Sequence, residues 1–253
     1  MLSSVASASG VLASRLPSLG RAMSALPPDL LLGASWPPAE ALLPRPGDLD
    51  RHDAAPDALF YAQPRLVTHI DAAALQALTA HYSAALPPPS PSLALLDLCS
   101  SWVSHYPPGY TGASCERVAG LGMNAEELAR NPALSERLVH DLNAAPQLPY
   151  AAAAFDAVTC CASIDYLTDP VRVLQEAHRV LRPGGVCLLS FSNRCFPSKA
   201  VALWLGTSDA EHVRWVGGLL RCAGFGSPQA YDLSPAPGRS DPLFVVSASK
   251  ALA

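Results

Sequence analysis

The chain has 253 residues, half of them hydrophobic, and a formal net charge of −4. This length is enough for one α/β domain with attachments. The slightly acidic balance, without any run of lysines and arginines, argues against a nucleic-acid partner held through phosphate contacts. No stretch reaches about 18 uninterrupted apolar residues, so we expect no transmembrane segment.

The seven cysteines form no C-x-x-C pair and no Cys/His spacing of the kind that binds a metal. Several of them stand in apolar, strand-like runs, where a cysteine behaves as a small core residue. We therefore predict buried, reduced thiols and no metal site.

The first 28 residues are rich in serine and alanine, contain Arg15 and Arg21, and have no acidic residue. This composition is typical of an organelle transit peptide, and a disordered tail is the alternative. We expect a transit peptide over residues 1–28, a linker with an N-terminal helical cap over 29–92, and the main domain over 93–253.

Helix signals come first in chain order. Asp71 is placed to cap a helix over 72–86, and Tyr61, Arg65 and His69 stand four apart, as on one helical face. Further N-caps are predicted at Ser101, Asn124 and Asp169, and Ser208 opens a capping box.

Strand signals alternate with the helices after LPPPSPS (86–92), which is a rigid break. Apolar runs predict strands within residues 93–98, 115–123, 135–143, 155–163 and 185–192, and a closing antiparallel pair within 231–233 and 241–250. This alternation predicts a doubly wound, mostly parallel α/β sheet. Ligands of such sheets bind at the carboxyl ends of the strands, so the residues after the first four strands are the ones to examine.

Residues 148–194 carry LPY followed by FDAV, then a D-P-x-x-x-L-x-E helix and an R-V-L-R-P-G-G turn. This set resembles the class I S-adenosylmethionine-dependent methyltransferases of the type 11-like group. FYAQPRLVTHID, LDLCSSWVSHYP, GLGMNAEELARNP, HDLN and SNRCF extend the resemblance to a methyltransferase-like family of plants, algae and bacteria with a degenerate glycine motif. The resemblance implies a Rossmann-like, seven-stranded sheet of order 3-2-1-4-5-7-6, with strand seven antiparallel, and S-adenosylmethionine as the cofactor.

The resemblance also implies a cofactor site at the strand ends. Asp97 matches the acid that ends strand one, and Cys99, Ser100 and Ser101 replace the glycine turn after it. Gly122 stands where the ribose-binding acid is expected, with Asn124 as its substitute, and Asp141 matches the adenine-reading acid. The full set of predicted cofactor residues is Asp97, Ser100, Ser101, Gly122, Met123, Asn124, Asp141, Leu142 and Ala162.

No catalytic base follows from the sequence, because methyl transfer needs one only if the nucleophile must lose a proton. The candidate rim residues are Tyr61, His69, Asp165, Tyr166 and Asn193, and Arg194 is a candidate contact for an anionic substrate group or a surface ion pair.

The favoured function is an S-adenosylmethionine-dependent methyltransferase of an organelle, a chloroplast rather than a mitochondrion, acting on a small or lipophilic substrate. The alternative is a methyltransferase fold that binds a partner without turnover. Another nucleotide-dependent enzyme is disfavoured, because the chain has no P-loop and no G-x-G-x-x-G that opens a helix. If Trp102 or Tyr61 filled the space beyond Asp97 and left no cavity, the structure would support the partner-binding alternative.

Overall fold

The computed structural model describes Trp36 and residues 44–252. The predicted transit peptide lies outside the described residues, as does most of the predicted linker before residue 44. Seven strands form one sheet in the order β3-β2-β1-β4-β5-β7-β6. Their bounds are β1 Ala94–Leu98, β2 Arg117–Gly122, β3 Glu136–Val139, β4 Phe155–Cys161, β5 Leu181–Phe191, β6 Gln229–Asp232 and β7 Phe244–Ser249.

The direction of the strands confirms the predicted sheet. The pairs among β1 to β5 are parallel, and β7 runs antiparallel to both β5 and β6. All five residues of β1 are buried, as expected for a central strand covered on both faces. The sheet therefore brings the carboxyl ends of β1, β2, β3, β4 and β5 to one edge.

Helices cover both faces of the sheet. Within the described residues they are α1 Asp57–Phe60, α2 Ala72–Ala85, α3 Ala125–Arg130, α4 Pro170–Val180, α5 Ala202–Gly206 and α6 Asp209–Cys222, with a 3-10 turn at Ile164–Tyr166. One core cluster joins the sheet to α4 and α6, and a second joins it to α2. None of these helices is long and apolar enough to cross a membrane.

Four predicted caps are confirmed. The Asp71 carboxylate accepts a hydrogen bond from the Ala74 amide, and Asp169 caps α4 with Pro170 at its first position. Asn124 caps α3, and Ser208 with Glu211 forms the predicted capping box of α6. Short polar side chains thus set the start of four helices, as their chemistry requires.

The predicted helical face of Tyr61, Arg65 and His69 is wrong. Helix α1 ends at Phe60, and residues 61–70, here called the strap, are irregular. Pro64 lies inside the strap, and a proline disfavours the helical conformation of the residue before it. The three side chains nevertheless reach one site, because the strap crosses the carboxyl edge of the sheet.

The predicted helix after strand one is also wrong. Residues 99–116 contain neither a helix nor a strand. The hydroxyls of Ser100 and Ser104 bond back to Asp97, which competes with helix formation, and Pro107-Pro108-Gly109 then interrupts any helix. This long loop forms one wall of the site.

Candidate functional site

A cavity of about 560 Å³ opens at the carboxyl ends of the strands. The strap lies over it, and the loops that follow β1, β2, β3, β4 and β5 supply its walls. The cavity lining includes these predicted cofactor residues: Asp97, Ser100, Ser101, Gly122, Met123, Asp141, Leu142 and Ala162. Tyr61 and Trp102 line this space without filling it, which counts against the partner-binding alternative.

Asp97 holds the loop after β1 in place. Its Oδ2 accepts hydrogen bonds from Ser100 Oγ at 2.6 Å and Ser104 Oγ at 2.7 Å, and its Oδ1 accepts one from Thr159 Oγ1 at 3.1 Å. Asp97 is 3% exposed, and burial raises its pKa to about 6 against the opposing effect of these donors. The carboxylate is therefore satisfied by the protein and positions the loop.

The turn that replaces the glycines has left-handed backbone at its first residue. Cys99 has φ of 52° although it is not a glycine. The Ser100 amide then donates to the Leu121 carbonyl at 2.8 Å, which ties the turn to β2. A glycine would therefore relieve backbone strain at Cys99. The residues of this turn that we predicted to contact the cofactor are instead Ser100 and Ser101.

The same turn explains why no acid ends β2. A Cβ added at Gly122 would collide with the carbonyl oxygen of Ser100. The loop after β1 leans over the end of β2, so only glycine fits there. The absence of a glycine turn after β1 and the absence of an acidic residue at the end of β2 therefore go together, because the loop after β1 packs against the end of β2.

The hydroxyls of Ser100 and Ser101, two of the predicted cofactor residues, form hydrogen bonds within the protein. Ser100 bonds to Asp97, and Ser101 Oγ donates to Glu127 Oε2 at 2.6 Å. Asn131, buried, further supports the loop by donating to the Ser101 carbonyl and to Ser104 Oγ, at 2.9 Å each. The predicted hydroxyl contacts with a cofactor are therefore not available in this arrangement.

Glu127 is a cavity residue that the sequence reasoning missed. It is buried in the first turn of α3, and its Oε1 accepts the Arg65 amide of the strap at 2.7 Å. The sequence feature that could have identified Glu127 is its position: it is an acidic residue in the first turn of a helix that starts directly after a parallel strand. Its carboxylate stands at the β2 end of the cavity, where Gly122 offers none.

Asn124 does not line the cavity, and its predicted ribose contact must be corrected. Its Oδ1 accepts the amides of Glu126 and Glu127, and its Nδ2 donates to the carbonyls of Tyr61 at 2.9 Å and Ala62 at 3.3 Å. The side chain is used to cap α3 and to hold the strap.

Asp141 keeps one carboxylate oxygen for a ligand. Its Oδ1 accepts the amides of Asn143 at 2.9 Å and Ala144 at 3.2 Å, which fixes the turn after β3. Its Oδ2 has no hydrogen bond to the described residues, and both Asp141 and the buried Leu142 line the cavity. The predicted contact with adenine is geometrically open and stays a prediction.

The candidate rim residues divide into two sets. Tyr61, His69, Tyr166 and Asn193 line the cavity, whereas Asp165 lies behind its wall. Asp165 Oδ2 is buried without a hydrogen-bond partner among the described residues, and burial raises the Asp165 pKa to about 7. The predicted direct role of Asp165 at the rim is therefore corrected to that of a buried carboxyl group next to it.

Two histidines of the cavity are neutral at pH 7. Burial lowers the pKa of His69, and burial together with His69 lowers the pKa of His105 to about 4. Arg194 is 63% exposed, with its Nε 3.7 Å from Asp241 Oδ1, and it also lines the cavity, so contact with an anionic substrate group stays a prediction beside the surface ion pair.

The seven cysteines, all within the described residues, form no disulfide. Cys115, Cys160 and Cys187 are buried as predicted. Cys99, Cys161 and Cys195 are only partly buried and line the cavity, which the sequence reasoning did not foresee.

Comparison with known proteins supports the resemblance. Residues 106–189 match the family model described as a methyltransferase domain. The 27-O-demethylrifamycin SV methyltransferase of Amycolatopsis mediterranei is 34% identical over 106 residues, which are 40% of this chain and 37% of that protein. A ubiquinone biosynthesis O-methyltransferase of Xanthomonas oryzae pv. oryzae is 30% identical over 104 residues, 36% of this chain and 44% of that protein. The matches thus span less than half the length of either relative.

A solved structure shows the same fold. Phosphoethanolamine N-methyltransferase 2 of Haemonchus contortus, in complex with S-adenosyl-L-methionine, matches with a TM-score of 0.51 and 13% identity over 70% of this chain and 52% of that chain. The domain match and the strand order confirm the resemblance to the class I S-adenosylmethionine-dependent methyltransferases. Residues 106–189 thus match a methyltransferase domain, and the sheet has the strand order of this fold.

Proposed function

We propose that the protein is an S-adenosylmethionine-dependent methyltransferase that acts on a small or lipophilic organic substrate. The domain match indicates S-adenosylmethionine as the cofactor. The observation that carries the proposal is the open cavity at the carboxyl ends of the strands, where ligands of doubly wound sheets bind.

The residues of the cavity fit such a cofactor in most respects. Asp141 Oδ2 can accept a hydrogen bond from the adenine amino group, with Leu142 beside the ring. The Glu127 carboxylate lies at the β2 end, where each oxygen already accepts one hydrogen bond from the protein and keeps a further lone pair for a ribose hydroxyl. The turn at Cys99 and the residue Ala162, which has φ of 48°, border the space left for the methionine moiety.

The cofactor, when bound, supplies an electrophilic methyl group. The chain would contribute mainly alignment and the exclusion of water, and ideal positioning can lower a barrier by about 7–11 kcal/mol. If the substrate nucleophile must lose a proton, His69 can accept it, because its imidazole is neutral at pH 7 and lines the cavity.

S-adenosylhomocysteine tests the proposal through the thermal stability of the protein. At a concentration one hundred times Kd, a ligand adds about 2.7 kcal/mol to the free energy of unfolding. For a chain of this size we expect Tm to rise by roughly 5–10 °C. Adenosine monophosphate serves as the control and should raise Tm less, since it keeps the adenine and the ribose but lacks the homocysteine moiety.

The second candidate is a methyltransferase fold that binds a partner without turnover. It is favoured by one observation: Asp97, Ser100 and Ser101 are bonded within the protein instead of facing a ligand. An unchanged Tm with S-adenosylhomocysteine would support this candidate against the methyltransferase.

We further propose that residues 1–28 are a plastid transit peptide that is removed after import. The acid-free composition rich in serine, alanine and arginine supports this. Protein isolated from the source organism should be found in plastids and should start beyond residue 28. A cytosolic protein that still begins with Met1 would contradict the proposal.

A further inference from the structure

The guanidinium of Arg65 lies in an aromatic frame at the cavity. Its Cζ is 4.3 Å from the ring centroid of Phe60, 5.4 Å from that of Phe196 and 5.7 Å from that of Tyr61. Arginine is well suited to such stacking, because its planar cation is weakly hydrated. These ring contacts restrict the orientation of the guanidinium and leave the N–H groups at its edge for a hydrogen-bond acceptor.

No acceptor in the described chain uses that edge. Arg65 Nη1 is buried without a hydrogen-bond partner, and the side chain forms no ion pair within residues 44–252. The nearby carboxylates have other partners: Asp57 accepts from Arg51, Lys199 and Asn143, and Glu127 accepts from Ser101 and from the backbone amide of Arg65. A buried cationic N–H without an acceptor is costly, and an anionic ligand would offset that cost.

The position of the guanidinium separates this group from the predicted cofactor residues. Most of those residues lie at the ends of β1, β2 and β3, and Ala162 follows β4, whereas Phe196 follows β5. Asn193 follows β5 as well and also lines the cavity. An anion at Arg65 would therefore belong to the substrate and not to the methionine moiety.

Aromatic side chains surround this end of the cavity. The rings of His69 and Tyr166 pack against Phe196 at centroid distances of 5.2 Å and 6.1 Å, and all three residues line the cavity. We propose that the substrate is a planar, ring-containing acid whose carboxylate is bound by Arg65 and whose ring packs among these side chains. This inference rests on the proposed function, since it assigns the second ligand of the same cavity.

Benzoate and benzamide, which have nearly the same shape and differ in charge, are the probes. Calorimetric titrations of both, with and without saturating S-adenosylhomocysteine, compare the wild-type protein with Arg65→Gln, Arg65→Lys and Arg130→Gln. Arg130 is exposed and outside the cavity, so its variant controls for the loss of one positive charge. Arg65→Lys keeps the charge and checks that a change at this position does not unfold the site.

We expect the wild-type protein and Arg130→Gln to bind benzoate at least tenfold more tightly than benzamide. Arg65→Gln should bind the two equally, and Arg65→Lys should keep part of the preference. Equal affinities in the wild-type protein would overturn the inference, whether or not the variants fold. A preference for benzoate that survives in Arg65→Gln would also overturn it.

Two further outcomes separate this inference from the proposed function. If S-adenosylhomocysteine does not bind, the proposed function fails, while a benzoate preference measured without it still supports an acid-binding site at Arg65. If Arg65→Gln weakens S-adenosylhomocysteine tenfold and leaves methylthioadenosine, which lacks the amino-acid moiety, unchanged, Arg65 binds the carboxylate of the cofactor and the inference is wrong.

Discussion

Left-handed backbone at residues other than glycine is concentrated at the cavity. Of the four such residues in the described chain, Cys99, His105 and Ala162 line the cavity, and Ala153 does not. Each left-handed residue with a Cβ costs about 1–2 kcal/mol, so the surrounding contacts must hold it in place. At the residue scale, the protein accepts strain where the loops after β1 and β4 meet the ligand space.

The strain at Cys99 can be measured by comparing two substitutions that both remove the thiol. We expect Cys99→Gly to be more stable than Cys99→Ala by about 1 kcal/mol, because only glycine adopts φ of 52° freely. Cys187, buried in β5, is the matched control, and there alanine should be the more stable by about 0.5–1 kcal/mol. Urea unfolding gives both differences, and the same order at the two positions would contradict the strain at Cys99.

Asp165 should make stability depend on pH. Its folded-state pKa of about 7 exceeds the ordinary value of 3.8, so the folded protein retains a proton that the unfolded chain loses first. The free energy of unfolding should therefore fall between pH 4 and pH 7, by roughly 1.4 kcal/mol per pH unit at most from this group. Burial raises the pKa values of the neighbouring Tyr61, Tyr166 and Cys195, so they remain neutral in this range.

Asp165→Asn removes that dependence. We expect the variant to gain stability relative to the wild-type protein as the pH rises from 4 to 7, and the difference to level off above pH 7. Urea unfolding at several pH values measures it. A difference that does not change with pH would show that Asp165 is not held protonated in the folded protein.

At the scale of elements, hydrogen bonds with three side chains hold the strap over the carboxyl edge of the sheet. Trp102 Nε1 donates to the Val67 carbonyl at 3.0 Å, Asn124 holds the Tyr61 carbonyl, and Glu127 accepts the Arg65 amide. These three partners come from the loop after β1 and from the start of α3. Loosening one of them should loosen the cover of the cavity without disturbing the sheet.

Trp102→Phe tests this attachment. Loss of one hydrogen bond of about 1 kcal/mol should raise amide hydrogen exchange in residues 61–70 about fivefold, with exchange in β1 and β4 unchanged. Trp215→Phe is the control, because the Trp215 indole N–H has no hydrogen-bond partner in the described part of the chain. Mass spectrometry should find faster exchange of the strap in the first variant only, and equal exchange in both would remove Trp102 from its attachment.

The sequence predicted the elements whose signals are local. Asp71, Asn124, Asp169 and Ser208 begin helices because their side chains cap amides two or three residues away, and apolar runs mark the strands. The strap and the loop after β1 were misread as helical, because their course depends on contacts with distant residues. The collision that excludes any residue larger than glycine at position 122 likewise arises between the loop after β1 and the end of β2, and it cannot be seen in either segment alone.

At the scale of the whole molecule, the strand order implied by the resemblance is confirmed, and a cavity lies at the edge where the cofactor site was predicted. Most of the predicted residues line the cavity, but Asp97, Ser100 and Ser101 are bonded within the protein. Glu127 is bonded within the protein as well, and Arg65 Nη1 is the buried group that has no hydrogen-bond partner among the described residues. The parallel sheet fixes where a ligand can bind. The side chains that meet it depend on how the loops cross that edge.

The central claim is that this cavity binds the cofactor with its adenine at Asp141. Calorimetric titration of S-adenosylhomocysteine into the wild-type protein and Asp141→Asn tests it most directly. The variant keeps an oxygen for the amides of Asn143 and Ala144, but places an NH₂ group where the adenine amino group needs an acceptor. Asp232→Asn, the same change at a turn after β6 and outside the cavity, is the control.

We predict that S-adenosylhomocysteine binds the wild-type protein and Asp232→Asn equally. Binding to Asp141→Asn should be weaker by about 1.5–3 kcal/mol, which is the range for a hydrogen bond to a charged group. Unchanged affinity in a folded Asp141→Asn protein, or no binding to the wild-type protein at all, would contradict the account.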